Sequence, residues 1–354
     1  PEIDYDVFEA AIAVKNTLLG NAELGLHNQE ELLRRVRDPE TSPQVRAFAL
    51  RLLPVFPTRA AKGDTPAARK LPESLAMDEL RQLLNLEVPR LGLEVVRYAA
   101  ADPNAGETLL LEIAADRRLS VRLRAEAIAG LSPLADQHVP RYLDWSLSTD
   151  RSVREAALQG LRAVTTNEKI TGQLAVSRNR FPDSADLIDA IVKPESLHRA
   201  RPPKTDTAAW LARLDQVPGK PDPIAGGRLF HYAGYAACSR CHRQDGRGTV
   251  VGPDLSRPRK DRRWLLESIL QPSVEMAPEY RPRTMVLVDG RVITGIRLRS
   301  STQEVVRDRN GQNQSFPRDD IESMHELNTS FMPDGLPDLL TDRELRDLLA
   351  FLLK

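Results

Sequence analysis

Cysteine is nearly absent from this 354-residue chain, with two residues in all, too few for the disulfide framework of a small secreted domain. Charge of one sign is lacking as well. Fifty basic residues balance fifty acidic ones, which excludes the basic excess of a general nucleic-acid binder. No window approaches the roughly 18 uninterrupted apolar residues of a membrane-spanning helix. No Ser/His/Asp set, phosphate-binding loop or carboxylate pair stands above background, so the common hydrolytic and phosphoryl-transfer chemistries have no visible carrier. Aromatic residues are scarce at 5%, while proline is frequent at 26 residues. What remains is 41% apolar and 28% charged, enough for solvated domains with real cores. The length suits two or three of them.

The two cysteines stand together as Cys238-Ser239-Arg240-Cys241-His242. C-x-x-C-H is the pattern of c-type haem attachment. At the start of a helix, positions i and i+3 share a face, so both thiols reach the two vinyl groups of one porphyrin. The next residue turns its imidazole onto the iron from the same side. Zinc would need two further ligands, and no second cysteine pair or H-x₃-H supplies them. A thioredoxin-type pair should follow a strand, whereas Gly226-Gly227-Arg228-Leu229-Phe230 leads in with helical spacing.

Downstream, residues 246–255 form a glycine-punctuated loop containing Gly252-Pro253. A proximal histidine gives its second N–H to a carbonyl or carboxylate, and the Pro253 carbonyl is the expected acceptor. The expected distal ligand is Met332, in a stretch stiffened by Pro333, with Met276 the runner-up. Met285 reads as core in a strand-like run, Met324 and His325 as surface or packing residues, and His231 as too close to the proximal side. Near the C-terminus, Thr341 and Glu344 form a capping box. Leu345, Leu348, Leu349, Leu352 and Leu353 make one apolar stripe, whose simplest partner is the helix carrying Leu229 and Phe230.

Five ordered motifs then agree with one known pattern. They are Gly227-Arg228-Leu229-Phe230, Cys238 to His242, Gly252-Pro253-Asp254-Leu255, the run Leu266 to Ser273, and Ser330 to Leu336. Residues from about 223 to 354 resemble the haem-binding cytochrome c domain of the Pirellula/Verrucomicrobium type, common in planctomycete proteins. The resemblance implies one haem c bound covalently to Cys238 and Cys241, with His242 and Met332 as axial ligands.

The segment at about 281–328 exceeds a minimal cytochrome c. Asp289-Gly290 and Asn310-Gly311 flanked by β-rich runs predict three or four antiparallel strands, read as a stabilising insertion in preference to a partner surface or lid. Residues 1–192 differ in character. Val45-Arg46, Leu123-Arg124 and Val153-Arg154 each lead to apolar positions at +4, +5 and +8, with a weaker copy at Val88, where Pro89 replaces the basic residue. The anchors 45, 88, 123 and 153 are spaced by 43, 35 and 30 residues, a period that suits stacked helix pairs and resembles HEAT repeats. A proline-rich linker is expected over 193–222, with a short helix around Trp210 docking within it. The predicted fold class is therefore mainly α: a HEAT-like solenoid, then a class I-like cytochrome c domain with a small antiparallel β insertion.

The function this implies is a c-type electron-transfer module, passing electrons from a dehydrogenase domain or partner and more a part of a larger oxidoreductase than a catalyst. Two alternatives stay open, a haem enzyme or sensor with a labile sixth ligand, and a HEAT interaction scaffold with an accessory haem. Thioether attachment occurs outside the cytoplasm, so a periplasmic or other extracytoplasmic location and a removed export signal are expected. The resemblance also implies that this HEAT-plus-cytochrome order follows a β-propeller dehydrogenase-like domain, so the C-terminal portion of a longer protein is expected. Residues 240–263 hold Arg240, Arg243, Arg247, Arg257, Arg259, Lys260, Arg262 and Arg263 against three aspartates. This run reads as a solvated face or as a docking patch for an acidic redox partner.

Overall fold

A computed structural model describes residues 22–53, 75–84, 88–256, 261–298 and 303–354. It is mainly helical, with a small antiparallel sheet. Of the basic run, Arg257, Arg259 and Lys260 lie outside the described residues. Among those described, no helix is long and apolar enough to cross a membrane. The chain divides into two compact units, Pro1–Gly160 and Leu161–Lys354.

The first unit is built of α1 (Ala22–Arg37), α2 (Pro43–Leu52), α3 (Met77–Leu84), α4 (Pro89–Ala101), α5 (Pro103–Ala115), α6 (Val121–Gly130), α7 (Val139–Trp145) and α8 (Arg151–Leu161). Neighbours pack in sequence, α1 on α2 and α5 on α6, while α4 also meets α2 and α6. The +4, +5 and +8 positions of the repeat make the core: Ala49, Leu50, Leu53, Ala127, Ile128, Leu131, Ala157, Leu158 and Leu161 are all buried. The basic residue has a structural task. Nε of Arg46 donates to the Val36 carbonyl at 2.8 Å, and Nε of Arg124 to the Ala114 carbonyl at 3.3 Å. Nη1 of Arg154 reaches the Ser148 carbonyl at 2.8 Å. The first two thus satisfy orphan carbonyls at the C-terminal ends of α1 and α5. Three residues before each anchor, Ser42 and Ser120 accept from the backbone N–H of Val45 and Leu123 as N-caps.

The second unit holds α9 (Glu168–Arg180), α10 (Ala185–Val192), α11 (Thr207–Asp215), α12 (Pro223–Tyr232), α13 (Arg262–Leu270) and α14 (Asp342–Leu352). Two short strands, β1 (Arg243–Gln244) and β2 (Arg247–Gly248), form a hairpin. The other five, β3 (Pro282–Leu287), β4 (Val292–Leu298), β5 (Glu304–Arg307), β6 (Asn313–Phe316) and β7 (Ile321–Glu326), make one antiparallel sheet in the order β6-β5-β4-β3-β7. Three or four strands were expected. The additional one is β7, whose sequence Ile-Glu-Ser-Met-His-Glu lacks the β-branched density of a clear strand. It places Met324 opposite Met285, and the latter is fully buried.

The division into two units falls at Gly160/Leu161, which places α9 and α10 in the second. The proline-rich segment 193–222 is also more than a spacer. Trp210 of α11 is 1% exposed and sits in the same apolar cluster as Leu229, Phe230 and Leu345. Arg201 donates to the Pro337 carbonyl at 2.7 Å, and Arg213 to Asp342 at 2.6 Å. Prolines fix the path of this strap, while one tryptophan and several arginines fasten it.

Candidate functional site

Two helices frame the C-x-x-C-H segment. Asp222 caps α12, accepting from the N–H groups of Ile224 and Ala225 at 2.8 and 3.1 Å. At the start of α14, Thr341 Oγ1 accepts the Glu344 N–H at 3.1 Å and Glu344 Oε2 accepts the Thr341 N–H at 2.9 Å, the expected capping box. The two helices pack closely at glycine. A Cβ on Gly226 would stand 1.9 Å from the Asp347 carbonyl oxygen, so only glycine permits the crossing. Phe230 and Phe351 meet at 5.5 Å beside it.

Beyond α12, Ala237 adopts a left-handed conformation (φ 50°) and turns the chain into a single 3₁₀ turn, Cys238–Arg240. Here the geometry differs from the helix start expected from spacing. One turn forms, with the N–H groups of Cys241 and His242 both bonded to the Cys238 carbonyl at 3.1 and 2.9 Å. The chain then leaves into β1. The cause lies in the following loop, which is laced back onto the motif. Thr249 N–H donates to Ser239 O at 3.1 Å, Gly252 N–H to Cys241 O at 2.7 Å and Leu255 N–H to Arg243 O at 2.7 Å.

That lacing fixes His242. Its Nδ1 donates to the Pro253 carbonyl at 3.0 Å, which places the ring lone pair on Nε2. Gly252 lies against the ring, and a Cβ there would stand 2.6 Å from His242 Cε1. Both cysteines are free thiols. Burial pushes the Cys238 thiol up to about 12. Burial also raises Cys241, against the pull of Arg309 and Arg240. A dithiol redox centre needs the opposite, a thiol lowered toward neutrality. Among the described residues, no three His, Cys, Asp or Glu side chains converge as direct metal ligation requires.

Met332 packs against the same apolar cluster that takes Cys238, Tyr235 and Leu255. Its segment has no regular structure and is pinned by serines. Met332 N–H donates to Ser330 Oγ, and Ser330 N–H to Ser273 Oγ, both at 3.1 Å. Met276, the runner-up, is half-buried in the connection after α13, its carbonyl accepting from Arg281 at 3.4 Å. His231 lies edge-on to Phe230 and Phe351, and His325 is exposed on β7.

Contacts that the sequence did not suggest surround this set. Tyr235, three residues before Cys238, donates to Glu344 at 2.6 Å. The basic run is less of a free patch than its composition suggests. Arg247 stacks on Tyr232 at 5.5 Å, Arg262 pairs with Asp215 at 2.5 Å and Arg263 with Glu267 at 3.0 Å. Only the motif itself could have pointed to Ser273, which closes the Leu266–Ser273 run. No known protein family matches the chain, and no curated protein does.

Proposed function

We propose that residues 223–354 form a mono-haem c-type electron-transfer domain, with haem c joined to Cys238 and Cys241. His242 and Met332 would hold its iron. The observation that carries this reading is the His242–Pro253 hydrogen bond at 3.0 Å, which presents Nε2 of a C-x-x-C-H histidine in one tautomer. The donor set agrees in kind. Two protonated thiols that do not share a point with the imidazole suit bonds to a porphyrin edge better than bonds to a metal. Met332 and Cys238, meanwhile, rest on one apolar cluster.

When bound, the haem would supply one-electron chemistry. Cys238, Cys241, His242 and Met332 would hold it, against the apolar cluster on which Cys238 and Met332 pack. A thioether ligand favours the ferrous form and raises the potential. Electrons would come from a dehydrogenase domain or a protein partner. Among the described residues of the basic run, Arg240 is an exposed cation that would face an acidic partner. Because thioether attachment takes place outside the cytoplasm, the domain belongs to the periplasm or another extracytoplasmic space. For the first unit we propose a HEAT-like array, supported by the recurring arginine-to-carbonyl bonds and by Arg124, which reaches forward to Asp150 at 3.1 Å.

Expression with a c-type maturation system, followed by a pyridine haemochrome spectrum and a redox titration, tests the reading. One covalent haem per chain that survives denaturation is expected, lost in Cys238→Ala or Cys241→Ala. A chain that matures without haem refutes it.

A further inference from the structure

The β5–β6 hairpin touches three parts of the site at once. Nη1 of Arg307 donates to the Val250 carbonyl at 2.7 Å, three residues before Pro253. Gly311, in the turn, lies against Val251, where a Cβ would stand 3.5 Å from Val251 Cγ2. Val251 itself is 2% exposed. Between them, the Arg309 guanidinium lies over the Phe331 ring, 5.1 Å from its centroid. Phe331 immediately precedes Met332. Arg309 is also near enough to Cys241 to weigh on its thiol. One turn of an inserted sheet therefore bridges the loop that orients His242 and the loop that carries Met332.

The sequence reads this insertion as a stabilising addition. The geometry points to a different role: the β5–β6 hairpin is a clamp on the two ligand loops, and Arg309 is a positioning residue that holds Met332 in place through Phe331. The inference rests on the haem reading above. Its physical basis is the poverty of the Met332 segment, which lacks helix or strand and whose backbone N–H groups at 330 and 332 are satisfied by serine hydroxyls. A segment so lightly tied gains disproportionately from one lateral contact. A planar guanidinium on an aromatic face supplies such a contact, and the attachment of the same turn to the Val250–Val251 loop fixes where it sits. Arg307, at the turn end of β5, has its Nε held by Asn313 at 2.9 Å across the hairpin, so the turn cannot swing without losing the Val250 bond.

The test is Arg309→Gln in the full chain, matured with haem. The expected result is a weaker far-red methionine-to-iron charge-transfer band and a lowered midpoint potential. Carbon monoxide should bind the ferrous form about two- to fivefold more readily, the factor expected from an exposed cation–π contact. Haem content and far-ultraviolet circular dichroism should not change. Arg309→Lys keeps the charge near Cys241 but not the planar stack, so it should restore the potential in part and the band little. Phe331→Leu should copy Arg309→Gln, and the double variant should add little to either. Wild-type behaviour in both single variants, or full rescue by lysine, overturns the clamp while leaving the haem reading intact. A haem-free wild type, or one with haem but no methionine band, overturns both.

Discussion

Nη1 of Arg162 donates to Glu344 at 2.7 Å, with the two side chains 7% and 2% exposed. The same guanidinium lies over the Tyr235 ring, 4.0 Å from its centroid, while the Tyr235 hydroxyl bonds the other carboxylate oxygen at 2.6 Å. Glu344 is also the second half of the α14 capping box. One carboxylate thus joins the start of the second unit, the start of its last helix and the residue three before Cys238.

The first prediction follows from burial. Glu344→Gln keeps an acceptor for Tyr235 but leaves Arg162 charged and uncompensated, which should cost about 3–5 kcal/mol in a denaturant melt. Arg162→Met combined with Glu344→Gln removes the stranded charge and should recover much of that loss. If the double variant is as unstable as the sum of the singles, the pair is not coupled as described.

The repeat in the first unit shows where sequence reading succeeded and where it stopped. Apolar periodicity located the core, because Ala127, Ile128 and Leu131 must face inward for α6 to pack. The basic residue inside the pattern carried no such signal, since its partner is a backbone carbonyl six to ten residues earlier. Likewise, C-x-x-C-H and Gly-Pro are local signatures, and their hydrogen bond joins residues only eleven apart. β7 and the Arg309–Phe331 contact depend instead on tertiary packing. An arginine in a turn looks like surface until its neighbour arrives.

A second prediction concerns that basic residue. Arg124 is 8% exposed, and it serves both the Ala114 carbonyl and Asp150. Arg124→Met keeps the aliphatic stem yet strands a buried carbonyl, so it should lower stability by about 1–3 kcal/mol. Arg46→Met, at a half-buried position, should cost less. Urea titration of both variants would reject this role if their order were reversed.

A third prediction is a pH dependence. Tyr142 is fully buried, its hydroxyl donates to the Ile128 carbonyl at 2.8 Å, and burial holds its phenol well above the ordinary 10.0. A raised pKa favours the protonated form in the folded state. Its contribution is therefore complete below pH 10 and is lost as pH rises from there toward the folded value. Tyr142→Phe should cost about 1 kcal/mol at neutral pH and flatten the alkaline fall. Denaturant melts across this range that show equal alkaline slopes in both proteins would count against it.

Two adjacent glycines give a fourth prediction. In Gly226→Ala the new Cβ meets backbone of α14 at 1.9 Å, which cannot step aside. A loss of about 1–3 kcal/mol or more is expected from this overpacking. In Gly227→Ala the Cβ meets only the Phe351 ring at 3.1 Å, and the ring can shift. Alanine also gains up to about 1 kcal/mol of helix propensity, so this variant should be close to neutral. Thermal melts that rank the two the other way would mean that α12 and α14 do not cross at Gly226.

Gly252→Ala separates ligand orientation from stability. The Cβ would press on His242 Cε1 at 2.6 Å and Nδ1 at 2.9 Å, and an imidazole is free to tilt where a helix backbone is not. The tilt strains the Nδ1–H bond to Pro253. On the proposed haem reading that bond would make the ring a stronger donor to iron, and a weaker donor would stabilise Fe(III) less, so the midpoint potential should rise. The melting temperature should fall by less than in Gly226→Ala, because no helix crossing is involved. Redox titration beside a thermal melt distinguishes the outcomes. A potential equal to wild type would mean that the Pro253 carbonyl does not govern His242, and the orientation argument would fail with it.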